Sequence, residues 1–105
     1  MYNVGTQSAP RSVVVFGAGQ GGSFAACELT KKGVAVKSVF DNDRSKWGGL
    51  LDEQWDIEQP SPTKELVVIA SMYAVDIAKQ LKEMGCNYVY YGPCFDRELF
   101  FFRNL

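Results

Sequence analysis

Apolar residues are spaced along this chain in two ways, and the alternation between them predicts a layered α/β domain. Residues 12–16 (SVVVF) form a short, β-branched, continuously apolar run, the pattern of a strand covered on both faces. Gly17 ends it. From Gly21 to Lys32 the apolar positions Phe24, Cys27 and Leu29, supported by Ala25 and Ala26, make a helical stripe, with Glu28, Lys31 and Lys32 elsewhere on the turn. Lys31 and Lys32 followed by Gly33 suit a helix C-terminus, where cations meet the negative end of the dipole and glycine accepts positive φ. Residues 34–40 (VAVKSVF) return to the strand pattern and are closed by the turn-forming Asp41, Asn42 and Asp43.

The pattern repeats in the second half. Residues 66–70 (LVVIA) form a third apolar run, and Ala74, Ile77, Ala78, Leu81 and Met84 recur at helical spacing before Gly85. Residues 87–91 (NYVYY) make a fourth strand, ended by Gly92 and Pro93. Between the second and third runs, residues 44–64 carry Gly48, Gly49, Pro60, Pro62 and four acids at positions 52–58, with no clear period. They are expected to form an irregular crossover, with a short edge strand near residues 55–58. Strands joined by helical crossovers require parallel pairing and right-handed connections. The expectation is therefore a parallel sheet of about four strands in the order 3-2-1-4, flanked by helices.

Length and composition set the scale. The chain has 105 residues, 47% hydrophobic and 22% charged, which suits one domain, with residues 1–11 as a polar lead-in and 92–105 as an apolar C-terminal segment. Eleven basic and twelve acidic residues leave a formal charge of -1, without the basic field of a nucleic-acid binder. There is no histidine, which removes histidine-based triads and most catalytic zinc sites. Three cysteines without a CxxC pair fit a reducing, cytoplasmic setting. No apolar run approaches the roughly 20 residues of a membrane span, and the first ten residues lack the regions of a secretory signal.

The candidate chemistry lies at the first turn. Gly17, Gly19 and Gly22 spell GxGxxG between a predicted strand and a predicted helix, the context that the motif requires. Gly17 would permit the tight turn, Gly19 would let a diphosphate approach the backbone, and Gly22 would let the helix lie close to the sheet. Free N-H groups at Gly19, Gln20, Gly21 and Gly22, with the positive end of the helix dipole, would bind an anion without a basic side chain. Asp41, 24 positions after Gly17 at the end of the second strand, is placed to accept hydrogen bonds from a ribose. A carboxylate there fits NAD better than NADP, although Arg44 could meet an adenine face or a 2′-phosphate. Asp41 also has an ordinary reading as turn chemistry.

Ser71, Met72 and Tyr73 follow the third strand, at the sheet edge where ligands bind; Ser71 also fits a helix N-cap. Tyr88, Tyr90, Tyr91, Trp47 and Trp55 fit packing roles, and Cys27 lies on the expected core face of the first helix. Cys86 and Cys94 have no assigned role. Gly17, Gly19 and Gly21 also satisfy the GxGxG of S-adenosylmethionine sites, but Val15 and Phe16 stand where such enzymes often carry an acid. Tyr-x-x-x-Lys, GxSxG, P-loop Gly-Lys-Ser/Thr and a cysteine-histidine pair are all absent, so no reaction centre is legible.

The segments VVVFGAGQGG, VKSVFDNDRSKWGG and LVVIASMYAVDIAKQL together resemble the amino-terminal Rossmann-like domain of bacterial polysaccharide-biosynthesis proteins. These are relatives of nucleotide-sugar dehydratases and epimerases, and similar domains are joined to sugar acyltransferases or methyltransferases. The resemblance spans about residues 12–91 and implies a module for NAD(H) or a nucleotide sugar, with Gly17, Gly19, Gly22 and Asp41 at the ligand positions. It implies that catalysis lies in a further domain. The expected function is a nucleotide-binding module of a larger or multi-subunit enzyme, inactive alone. The alternatives are a ligand-free interaction or oligomerisation domain and an S-adenosylmethionine-binding fragment. The apolar residues from Phe95 to Leu105 are the expected contact with a second copy or a catalytic neighbour.

Overall fold

The computed structural model describes residues 10–91. Six strands and two α-helices follow the chain: β1 (Ser12–Phe16), α1 (Gln20–Lys31), β2 (Ala35–Phe40), β3 (Leu50–Leu51), β4 (Trp55–Glu58), β5 (Leu66–Ile69), α2 (Ala74–Glu83) and β6 (Tyr88–Tyr90). They make one sheet in the order β3-β4-β2-β1-β5-β6. All neighbours pair in parallel except β3, which pairs antiparallel with β4. Each helix ends as the sequence directs, with positive-φ glycines after them: Gly33 at φ 83° and Gly85 at φ 75°.

Two expectations are corrected. The strand at 66–69 does not lie beyond β2's side of the sheet; it pairs with β1 on the side opposite β2, so the four expected strands run 2-1-3-4. The crossover at 44–64 contains the short strand expected near 55–58, β4, and adds a strand that was not expected, β3. After a 3-10 turn at Arg44–Lys46 it folds into the β3-β4 hairpin, and β4 takes the place beside β2 that the third strand was expected to fill. Leaving out the antiparallel β3, the sheet has the order 3-2-1-4-5. The hairpin was hard to see because β3 is only two residues long, and its tip uses Asp52 (φ 53°) and Glu53 (φ 57°) where glycine or asparagine would have signalled a turn.

The sheet is buried on both faces because alternate strand residues point to opposite sides. Val13, Val15, Val39, Val68 and Val89 face one way and pack with Ala25, Ala26 and Leu29 of α1. Val14, Phe16, Phe40, Val67 and Ile69 face the other and pack with Ile77, Ala78 and Leu81 of α2. Leu29 and Leu81 are fully buried, each contributing about 1.5–3 kcal/mol. The stripe of α1 is narrower than expected: Gly22, Ala25, Ala26 and Leu29 are buried, whereas Phe24 and Cys27 are exposed. Trp55 is buried and Trp47 partly so, its indole N-H donating to the Asp41 carbonyl at 2.7 Å. Since α1 and α2 cover opposite faces, the connections diverge between β1 and β5, and a crevice opens outside their carboxyl ends.

Candidate functional site at the carboxyl edge of the sheet

The turn after β1 is shaped by contacts that three of its glycines make possible. Gly17 has φ 128°, and a Cβ there would lie 2.7 Å from the Ala70 carbonyl oxygen; its N-H donates to the Phe40 carbonyl at 2.8 Å. A Cβ on Gly21 would lie 2.8 Å from the same Ala70 oxygen, and one on Gly22 only 1.6 Å from the Gly17 oxygen. Gly19 differs. Its φ of -108° is open to any residue, and a Cβ there would meet nothing within 4 Å. Packing therefore explains the absence of a side chain at 17, 21 and 22, but not at 19.

Gly19 is the N-cap of α1 and offers no side-chain cap, and no acidic residue lies in the first turn. The first N-H groups of a helix lack intrahelical partners, so this end presents partial positive charge to the crevice. Asp41 closes the turn from the β2 side. One carboxylate oxygen accepts the Ala18 N-H at 2.8 Å and the other accepts the Asp43 N-H at 2.7 Å. Each oxygen retains acceptor capacity, since a carboxylate has about four lone-pair sites. The expected turn role of Asp41 is thus present, and a ribose contact is compatible with it.

The crevice is a cavity of about 1010 Å3. Six of the seven predicted site residues line it together: Gly17, Gly19, Gln20, Gly21, Asp41 and Ser71. Gly22 does not; it is buried beneath, supporting the turn against α1. Ser71 is not the N-cap of α2, a place held by Tyr73. Its hydroxyl instead accepts the Tyr73 N-H at 3.1 Å, holding the loop that leads into the helix. Met72 and Tyr73 line the cavity as well.

Several lining residues were not singled out as ligand contacts. Phe24 and Tyr91, whose sequence context fits packing, both line the cavity, with Tyr91 also packed on the core, and their rings meet edge to face at 6.1 Å. Asn42, Asp43 and Lys46 line its β2 end, whereas Arg44 is exposed on the 3-10 turn and does not. The Lys46 ammonium lies 3.5 Å from the Ala18 carbonyl oxygen. Asp43 accepts from both the hydroxyl and the N-H of Ser45; these bonds, with Lys46 nearby, hold its carboxyl below the ordinary range. Asp76 and Ile77 of α2 complete the wall, and Asn42 is tied to α2 by a reciprocal amide pair with Gln80 at 2.9 and 3.0 Å. Strand order, more than local sequence, assembles this group.

Among the described residues no cluster of three or more metal-ligating side chains occurs, and no helix is long and apolar enough to cross a membrane. Cys86 is buried with a free thiol. Cys94 and the proposed contact segment from Phe95 to Leu105 lie outside the described residues.

Neither protein-family models nor curated proteins match the chain. Its structure is similar to the crystal structure of RSP, a Rex-family repressor, with a TM-score of 0.58 and 16% sequence identity over 78% of this chain and 45% of that one. The fold is Rossmann-like. At that identity the likeness speaks for the fold alone, and this chain spans less than half the length of the repressor chain.

Proposed function

We propose that this chain is a nucleotide-binding module that takes a diphosphate-bridged ligand, NAD(H) or a nucleotide sugar, across the turn between β1 and α1. The observation that carries this reading is Gly19: it is the turn glycine that the protein's own packing does not require, and it stands at an uncapped helix N-terminus in the main crevice. A bare backbone there serves an anion that must come close. Asp41 at the end of β2 supplies the ribose acceptor, and its negative charge favours NAD over NADP. The sequence resemblance supports a role in sugar-nucleotide or polysaccharide biosynthesis, with the reacting groups supplied by a neighbouring domain or subunit.

Titration of the full chain with NADH, UDP-glucose and S-adenosylmethionine, followed by amide NMR, tests the reading. One of the first two ligands should shift Gly19, Gly21 and Gly22, and Gly19→Val should abolish the shifts while leaving the remaining spectrum folded. No response to any of the three ligands would leave an interaction domain as the better account. A response confined to S-adenosylmethionine would move the assignment to that class.

A further inference from the structure

The cavity is polarised along the edge of the sheet. Strand order places Asp41, Asn42, Asp43 and Lys46 after β2, the glycine turn after β1, Met72 and Tyr73 after β5, and Tyr91 after β6, with Phe24 reaching in from α1. Charged and amide groups thus occupy the β2 end, whereas sulfur and aromatic groups are concentrated at the β5-β6 end, where Ser71 and Asp76 are the polar side chains contributed after β5. Phe24, Met72 and Tyr73 are 62%, 89% and 67% exposed, so three of the five large apolar side chains exposed among the described residues lie around this one cavity. Leaving such surface in water is unfavourable, and a concave apolar wall continuous with an anion site is the usual form of a ligand subsite.

We propose that Phe24, Tyr73 and Tyr91 form an aromatic clamp for a flat nitrogen heterocycle carried at the far end of the ligand, beyond the diphosphate. The inference rests on the diphosphate reading of the turn and narrows it: the ligand is a dinucleotide with a flat ring at that end, not a nucleotide sugar. A hexose would bring several hydroxyl groups to a wall of mostly aromatic faces and a thioether, where Ser71, Asp76 and the two tyrosine hydroxyls are the polar side-chain groups able to pair with them. A flat ring instead gains contact with the Phe24 and Tyr91 pair, already set edge to face, and with the exposed face of Tyr73.

The test compares NADH with ADP-ribose, which carries the same adenosine diphosphate and second ribose but lacks the ring, and with UDP-glucose, by calorimetry on the full chain. NADH should bind about tenfold tighter than ADP-ribose, the scale of ring stacking on aromatic side chains. Phe24→Ala and Tyr73→Ala should each lower that ratio towards one, and neither residue is buried, so the variants should remain folded. Equal affinity for NADH and ADP-ribose, or a preference for UDP-glucose, would overturn the clamp while leaving the diphosphate site in place. Failure of all three to bind would instead remove the reading of the turn on which the clamp depends.

Discussion

Replacing Gly22 or Gly19 by alanine separates the glycine that the fold needs from the one that a ligand needs. A methyl group on Gly22 would lie 1.6 Å from the Gly17 carbonyl oxygen, so α1 and the turn must part by about 1.4 Å to reach the 3.0 Å that real Cβ atoms respect. That displacement lifts Ala25, Ala26 and Leu29 from the valines of the sheet. Overpacking of this kind costs about 3 kcal/mol. At roughly 4–8 °C per kcal/mol for a domain of this size, Gly22→Ala should lower Tm by about 12–24 °C. Gly19→Ala meets free space and an allowed backbone, so its stability should change by less than about 0.5 kcal/mol. Its methyl group should nevertheless weaken nucleotide binding. Circular dichroism melts and urea titrations read the first effect, and calorimetry with NADH reads the second. Equal destabilisation by the two variants, or a Gly22→Ala protein as stable as the parent, would refute the argument.

Asp41→Ala leaves the N-H groups of Ala18 and Asp43 without their acceptor; because Ala18 is buried, the loss should be about 1–3 kcal/mol, seen as a lower urea midpoint with unchanged slope. Asp43 should titrate below the ordinary carboxylate range by carbon-detected NMR, and Ser45→Ala should move it back up. Its folded pKa is depressed, so its stabilisation is present above the unfolded pKa and is lost as pH falls through the folded one; Ser45→Ala should shrink that loss. Lys46→Met should weaken NADH and ADP-ribose alike by roughly threefold to tenfold at low salt, with the difference fading as salt is added. Unchanged affinity would show that the Lys46 ammonium does not reach the diphosphate.

The elements with strong periodicity were legible to within a residue or two. The runs at 12–16 and 66–70 are apolar because helices cover both faces of β1 and β5, and Gly33 and Gly85 mark helix ends because only glycine takes their φ cheaply. Sheet order was harder to read. Local pattern says which segments are strands, but pairing depends on whether the 44–64 crossover contains a strand able to fill the place beside β2. Trp55 and Ile57 point inward and Asp56 and Glu58 outward, an alternation that does announce β4 over four residues. The partner β3 is too short to announce itself, and the hairpin tip at Asp52 and Glu53 breaks the usual turn chemistry. The run at 55–58 is legible as a strand, but its place beside β2 is not, and that place decides on which side of β1 the run at 66–69 lies.

The same distinction governs the site. Gly17, Gly21, Gly22 and Asp41 were readable because their demands are local: a turn, a close helix and a carboxylate at a strand end each impose a residue type within one βαβ unit. Tyr73 was placed at the ligand edge of the sheet by its position after a strand, but Phe24 and Tyr91 come from α1 and the end of β6, and nothing in their spacing links them to it until strand order sets those ends side by side. Phe24 was also masked by its surroundings. It sits two residues after Gly22 in a helix whose buried stripe needs only small residues near the turn, so a large apolar side chain at 24 looks like core by composition while geometry turns it toward the crevice. Next to the turn, a helix that lies this close to the sheet has room beneath it only for small residues, so Phe24 stands at the rim, where a ligand held by the turn would extend, while Leu29, a turn further on, is buried.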